Sequence, residues 1–379
     1  MRIYPNINTS VLAEAAAAAG ENVWVKFPGL QQWIKGEKQP TVNQLADFAK
    51  AVHLPFGFFF LQKLPTTEGN IPLFRSNVAK PTYNYSSELR DTISSIEARQ
   101  DWLIEYFSSN RAEPLPFVGS VTLKHSAKHI AAQIRQQLGL QTNWARFLTD
   151  KNMALNFLVD KAEQAGIFTA INGVVGNGQR NLLPNEFKGF VLTNPYAPYI
   201  FINGKDFPAA RLFTFMHELA HIWLGKSAAF DLEKLQPADD AIEKKCDAVA
   251  AELLVAEEVL QLEWEKVKKN NNHLLYLERI FKVSQVVIAR RLLDLGYYSR
   301  PQFFAFYEQY KKNWEQKQNE KNDAGGGSFY NNQNFRVGKA FFYTVNEAAK
   351  SGKLLYTDAY KLTDLYGKTF HNYENALAS

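Results

Sequence analysis

The sequence predicts an α+β protein, mostly helical, with one small antiparallel sheet just ahead of a histidine-bearing helix. Three observations carry that reading. Apolar residues recur at the helical period through most of the chain. From Gly166 the period switches to that of strands, in GIFTAING and GFVLTNPYAPYIFING, which are rich in β-branched and aromatic residues. Directly after them comes FPAARLFTFMHELAHIWLGK, which reads as one helix holding a His-Glu-x-x-His pattern.

Composition bounds the class. With 46% hydrophobic and 21% charged residues over 379 positions, the chain can bury a sizeable core and is not of the disordered type. The 28 Phe and 17 Tyr predict that this core is rich in rings. A net charge of +5, spread along the chain, permits a nucleic-acid partner without arguing for one. The one cysteine, Cys246, excludes an internal disulfide and fits a reducing compartment. No apolar region follows the early Arg2 in signal-peptide fashion, and VLAEAAAAAG is too short and too polar to span a bilayer. A cytoplasmic protein without a membrane partner is expected.

Residues 1–64 read as a helical unit. Thr9 or Ser10 can cap a first helix that ends at Gly20. A short helix around Phe27 to Ile34 has Pro28 near its start and Gly36 as its stop. Thr41 can cap another, with Val42, Leu45, Phe48, Ala49 and Val52 at helical spacing. The stretch LQQWIKGEKQPTVNQLADFAKAVHLP resembles the helix-turn-helix unit of phage-repressor-like regulators. It departs from that family between Gly20 and Leu30, where Trp24 and Phe27 occupy a segment too short for a full second helix. The unit is therefore degenerate, and packing or protein contact is the plainer reading than groove reading. Lys35 and Lys38 supply charge there, but no Arg is available for bidentate base recognition.

Residues 65–160 read as a helical linker region. Pro65, Gly69 and Pro72 break any period, a long helix covers 86–110, and two more helical stretches follow the PLPFVG break. His125 and His129 are four apart, but no Glu follows the first and no acidic helix comes soon after. They are expected on a solvated face. Residues 161–310 hold the strands and the His-Glu-x-x-His helix. Asn194-Pro195-Tyr196-Ala197-Pro198 is a hairpin turn, Asp206 can cap the helix, Pro208 suits its first turn and Gly225 its end. After an irregular loop over 226–240, AIEKKCDAVAAELLVAEEVLQLEW reads as one further helix. Residues 311–379 read as a charged and glycine-rich linker with a small helical appendage. Gly325-Gly326-Gly327 follows no strand, so it is not a phosphate cradle.

Two histidines four apart lie one turn above each other on a helix. His217 and His221 can both reach one metal ion, and Glu218 flanks them as a general base. A catalytic zinc takes a third protein ligand and keeps one position open. Asp231, Asp239, Asp240, Glu243, Asp247 and Glu252 are the acidic candidates. Glu243 is preferred, because it opens the next helix and the chain between the helices is long enough to return it to the metal. Asp247, four residues on, shares its face and can orient a histidine ring from behind. Cys246 falls on another face and reads as a small buried apolar residue.

The run EFKGFVLTNPYAPYIFINGKDFPAARLFTFMHELAHIWLG, followed by AIEKKCDAVAAELLVA, resembles the ImmA/IrrE metallopeptidase family. VHLPFGFFFL, the P-L-F-R run, PLPFVG, VSQVVIARRLLDLG and GGGSFY are similar to its longer members. Departures lie in the second helix: Cys246-Asp247 stand where the family has Ala-Asn, Val249 where it has Phe, and Ala256 where it has Pro. The resemblance implies a zincin-like metallopeptidase domain with His217, His221 and Glu243 as metal ligands and Glu218 as catalytic base. Zn2+ is the implied metal, with Mn2+ as the other choice. It implies an endopeptidase that cuts a helix-turn-helix repressor or another regulatory protein. The alternative is a DNA-binding regulator or the antitoxin partner of a toxin, with weak or gated peptidase activity.

Overall fold

The computed structural model describes residues 7–18, 21–52, 56–60, 86–176, 178–225, 240–319 and 334–378. The chain divides into two units, Met1–Gly69 and Asn70–Ser379. The breakers Pro65, Gly69 and Pro72 and the Gly325–Gly327 run lie outside the described residues.

In the first unit the described helices are α1 (Thr9–Ala18), α2 (Glu21–Lys26), α3 (Leu30–Ile34) and α4 (Val42–Ala51), followed by a 3-10 turn at Phe56–Phe60. Phe48 is fully buried and meets the rings of Phe27, Trp33 and Phe59, so one ring organises the small core. Thr41 caps α4 reciprocally with Gln44: Thr41 Oγ1 accepts the Gln44 N–H and Gln44 Oε1 accepts the Thr41 N–H. The first cap falls earlier than expected. Asn8 Oδ1, rather than Thr9 or Ser10, accepts a free helix N–H, that of Ser10, at 3.1 Å. The segment before Leu30 does form a helix, α2, of 6 residues.

The second unit is built on a three-stranded sheet: β1 (Phe168–Asn172), β2 (Gly189–Leu192) and β3 (Tyr199–Asn203). Its order is β1-β3-β2. β2 and β3 form the expected antiparallel hairpin, with Asn194 Oδ1 accepting the N–H of Tyr196 to close the turn. The expectation of an antiparallel sheet fails at β1, which pairs parallel to β3, so the sheet is mixed. The hairpin lays β3 beside β1 rather than β2, and two reversals of direction leave β1 and β3 parallel. No local turn signal encodes that choice.

Every strand residue is buried, because both faces are covered. Ile171, Val191, Ile200 and Ile202 face a core shared with α6 (Ala127–Leu138), α7 (Lys151–Gln164) and the helix α8 (Pro208–Leu224). Phe168, Ala170, Phe190, Leu192, Tyr199 and Phe201 face the other way, toward α5 (Ser87–Ser109) and the C-terminal helices. The alternation follows the two-residue period of the strand.

Beyond α8 come α9 (Asp240–Leu254), α10 (Glu257–Val267), α11 (His273–Phe281), α12 (Gln285–Asp294) and α13 (Arg300–Asn319). What read as one helix over 241–264 is two, α9 and α10. Ala256 is extended at the break, and Glu257 and Glu258 favour the start of a new helix. The charged stretch from Tyr310 continues α13 to Asn319 instead of starting a linker. α14 (Lys339–Lys350), α15 (Tyr356–Thr363) and α16 (Lys368–Ala378) follow a π-helical turn at Asn334–Gly338. They are no appendage: Phe341, Phe342, Val345, Phe370 and Tyr373 are buried in the core on the second face of the sheet. A Cβ at Gly338 would come 2.2 Å from the Thr169 carbonyl oxygen, so only glycine permits that approach to β1. Among the described residues no helix is long and apolar enough to cross a membrane.

Candidate metal centre

α8 is apolar nearly all round and sits inside the unit, so its few polar side chains are carried into the core. Asp206 does not cap it. Phe207 takes the cap position, and Asp206 Oδ1 instead accepts the Phe207 N–H and pairs with Lys188. Pro208 opens the helix and Gly225 closes it in the left-handed region, as expected. At Gly189 a Cβ would meet Thr214 Cγ2 at 2.7 Å, so β2 and α8 approach closely one turn before His217.

His217, Glu218 and His221 are each no more than 3% exposed. The two Nε2 atoms lie 3.1 Å apart. Across from them, α9 presents Glu243 and Asp247 on one face. Glu243 Oε2 is 3.1 Å from His217 Nε2, and its Oε1 is 3.4 Å from His221 Nε2. One ligand atom from each of His217, His221 and Glu243 falls within 4.8 Å of the others, the only such group of three among the described residues. Asp247 Oδ1 is 2.9 Å from His217 Nδ1. A carboxylate there only accepts, so Nδ1 carries the proton, and giving up the Nε2 proton would leave a lone pair on Nε2 for a metal.

The electrostatics describe what such a site wants. Burial opposes a charged His217, yet hydrogen bonds to Asp247 and Glu243, with the Glu218 charge, outweigh it and raise its pKa to about 9. Burial likewise opposes a charged Glu243, but hydrogen bonds from His217 and His221 hold its carboxyl well below the usual carboxylate range. Two imidazole nitrogens and a carboxylate therefore converge on one point and favour positive charge there. The donor set of two N and one O fits a divalent ion of the zinc type, and protons compete with it for the same atoms.

The other acidic candidates separate cleanly. Asp231 and Asp239 lie outside the described residues, as does the side chain of Asp240. Glu252 is buried between Arg135 and Arg291, away from the histidines in sequence and in contacts. Cys246 is fully buried, and burial followed by the charges of Glu243, Glu218 and Asp247 pushes its thiol up, away from reactivity. His125 and His129 stack at 5.0 Å. Their other partners are the Thr122 N–H and Gln133.

Two histidines a turn apart and a facing helix of carboxylates are an arrangement that fits a metal-dependent hydrolase. Residues 180–293 match the family model described as the IrrE N-terminal-like domain, a stretch that runs from before β2 into α12. That part of the chain is similar to the ImmA/IrrE-type peptidases. Residues 337–376 match a domain of unknown function, DUF8813, which corresponds to the helices covering the second face of the sheet. No curated protein matches the chain.

Nothing local in the sequence marks Arg135, Trp144 and Arg291, which grip the end of α9. The one usable signal was Glu252, an acid flanked by apolar residues, which needs buried cationic partners.

Proposed function

We propose that this chain is a zinc-dependent endopeptidase that cleaves a helix-turn-helix repressor or a related regulatory protein. The observation that carries the reading is the convergence of His217 Nε2, His221 Nε2 and Glu243 on one point. It is supported by the similarity of residues 180–293 to a peptidase family.

His217, His221 and Glu243 would hold the ion, and Asp247 would keep the proton on His217 Nδ1 so that Nε2 stays available. When bound, the ion supplies Lewis-acid activation of water and of the peptide carbonyl. Glu218 follows His217 on the buried helix and acts as the base. Its carboxylate takes the water proton during attack on the carbonyl carbon and delivers it to the nitrogen of the leaving amine. Burial of Glu218 at 3% exposure keeps that proton from bulk solvent.

The test separates holding from chemistry. Full-length protein should carry about one zinc per chain. His217→Ala should lose it, while Glu218→Gln should keep it yet fail to cut purified helix-turn-helix repressors that the parent cuts, as read by intact mass. A Glu218→Gln protein that cuts at the parental rate removes Glu218 as base. Metal content unchanged in His217→Ala removes the site.

A further inference from the structure

We infer that Arg135, Trp144 and Arg291 are positioning residues for the metal centre, acting through the C-terminal end of α9 to set where Glu243 stands. The inference rests on the site reading above and extends it to groups that touch neither metal nor substrate.

The last carbonyls of any helix lack partners within it. At the end of α9 and on the residue just past it, three carbonyls are taken by side chains from three separate elements. Arg135, in the last turn of α6, donates to the Glu252 carbonyl. Trp144, in the 3-10 turn after α6, donates its Nε1–H to the Leu253 carbonyl at 3.0 Å. Arg291, on α12, donates its Nε–H to the Val255 carbonyl at 3.1 Å. The Glu252 carboxylate lies 3.6 Å from Arg135 and hydrogen-bonds Arg291. Glu252 is 3% exposed and Arg135 6%, so these charges meet in a dry interior where an unpaired ion is costly.

This matters because, Glu252 apart, the buried side chains of α9, among them Cys246, Val249, Ala250 and Leu253, are apolar, and Lys245, which donates to the His125 carbonyl at 2.8 Å, adds one directional contact nearer its start. Apolar burial is non-directional and fixes separation better than position along a helix axis. Hydrogen bonds weaken steeply with distance and angle. Three of them clustered at one end therefore outweigh the single one from Lys245 in setting the axial position of α9. Glu243 and Asp247 lie on that same helix, and both meet His217 at about hydrogen-bond distance, so a small axial slip moves both contacts together.

The experiment measures Zn2+ affinity of full-length protein against a competing chromogenic chelator, far below the melting temperature of every variant. Trp144→Phe keeps an aromatic ring but removes the Nε1–H together with part of the indole, and should weaken binding about threefold. Arg291→Gln should weaken it about tenfold, with Arg291→Lys recovering part. Phe342→Ala, in the other core, lowers stability without touching α9 and should bind as the parent does. The inference is overturned if Trp144→Phe and Arg291→Gln bind as tightly as the parent. It is equally overturned if Phe342→Ala weakens binding as much as they do, since general loosening then accounts for the loss. A parent that binds no zinc, or a His217→Ala variant that still binds it, overturns the site reading itself.

Discussion

Two acids of the second unit, Glu243 on α9 and Glu163 on α7, are buried in opposite ways. On the α8 face, Glu243 sits between two histidines and is held charged. Where α7, β1 and the start of α14 meet, Glu163 at the end of α7 accepts from Thr169 Oγ1 at 2.7 Å and from the Ala340 N–H at 3.1 Å. Burial dominates there, and with Asp160 nearby it outweighs both hydrogen bonds and Lys339, so the carboxyl is pushed up to about 7. The lesson is that burial by itself neutralises an acid, and only converging cationic or metal-binding partners keep one ionised. The first arrangement suits an ion-binding site. The second suits a joint that docks α14 onto the strand layer, with Glu163 serving the helix start that Gly338 cannot cap.

If the faces are separable, damage to one should spare the other. The largest effect is expected from Phe342→Ala. Phe342 is fully buried and packs on Phe370 and Tyr373 at ring distances of 4.8 and 4.6 Å. Its truncation should cost about 3–5 kcal/mol in chemical denaturation, with zinc stoichiometry unchanged in the folded protein. Parallel loss of zinc would show that the two faces form one cooperative whole and would dissolve the contrast.

Glu163 comes next. Its folded pKa of about 7 stands above its usual 4.5, so the folded state holds the proton more tightly than the unfolded state. The stabilising contribution is fully present below about 4.5 and is lost as pH rises through about 7. That amounts to at most about 3 kcal/mol. Denaturation midpoints measured from pH 5 to 8 should fall across this window in the parent and flatten in Glu163→Gln. A parental slope retained in Glu163→Gln would assign the dependence to another group.

Much of this was legible in the sequence, for local reasons. The His217–His221 spacing, the Gly225 stop and the Thr41 cap with its helix each follow from short-range geometry that a window of residues contains. The pairing of β1 with β3 was not, because it depends on where the β2–β3 hairpin comes to rest. The role of residues 334–378 was hidden for a related reason. Phe341, Val345 and Phe370 show helical spacing, but spacing does not name the surface that a helix covers. Glu252 was visible as an acid near the site, whereas its partners Arg135 and Arg291 lie 117 and 39 residues away.

Within the α8 face, Asp247 should matter less than the three atoms that would hold the ion. Its side chain is 49% exposed, so water partly replaces it. Asp247→Ala removes the acceptor at His217 Nδ1 and should weaken zinc binding roughly 10- to 100-fold. Asp247→Asn keeps an oxygen acceptor and should fall nearer the parent, while Glu243→Gln should lose more than either. Greater loss in Asp247→Asn than in Glu243→Gln, by chelator competition, would exchange the roles of the two acids.

The smallest effect belongs to the second histidine pair. His125–His129 and His217–His221 share a four-residue spacing and nearly equal ring separations, 5.0 and 4.9 Å. They differ in everything around the rings. His129 is exposed, and His125 Nδ1 already accepts the Thr122 N–H at 3.0 Å. No acid joins them in a group of three potential ligands among the described residues. Two ligands in water hold zinc far less firmly than three in a buried site, since nothing there disfavours hydration of the ion. His125→Ala should therefore leave the zinc content of the purified protein at its parental value, measured after dialysis. A drop would mean that spacing is sufficient without burial or facing carboxylates, and the distinction drawn between the two pairs would fail.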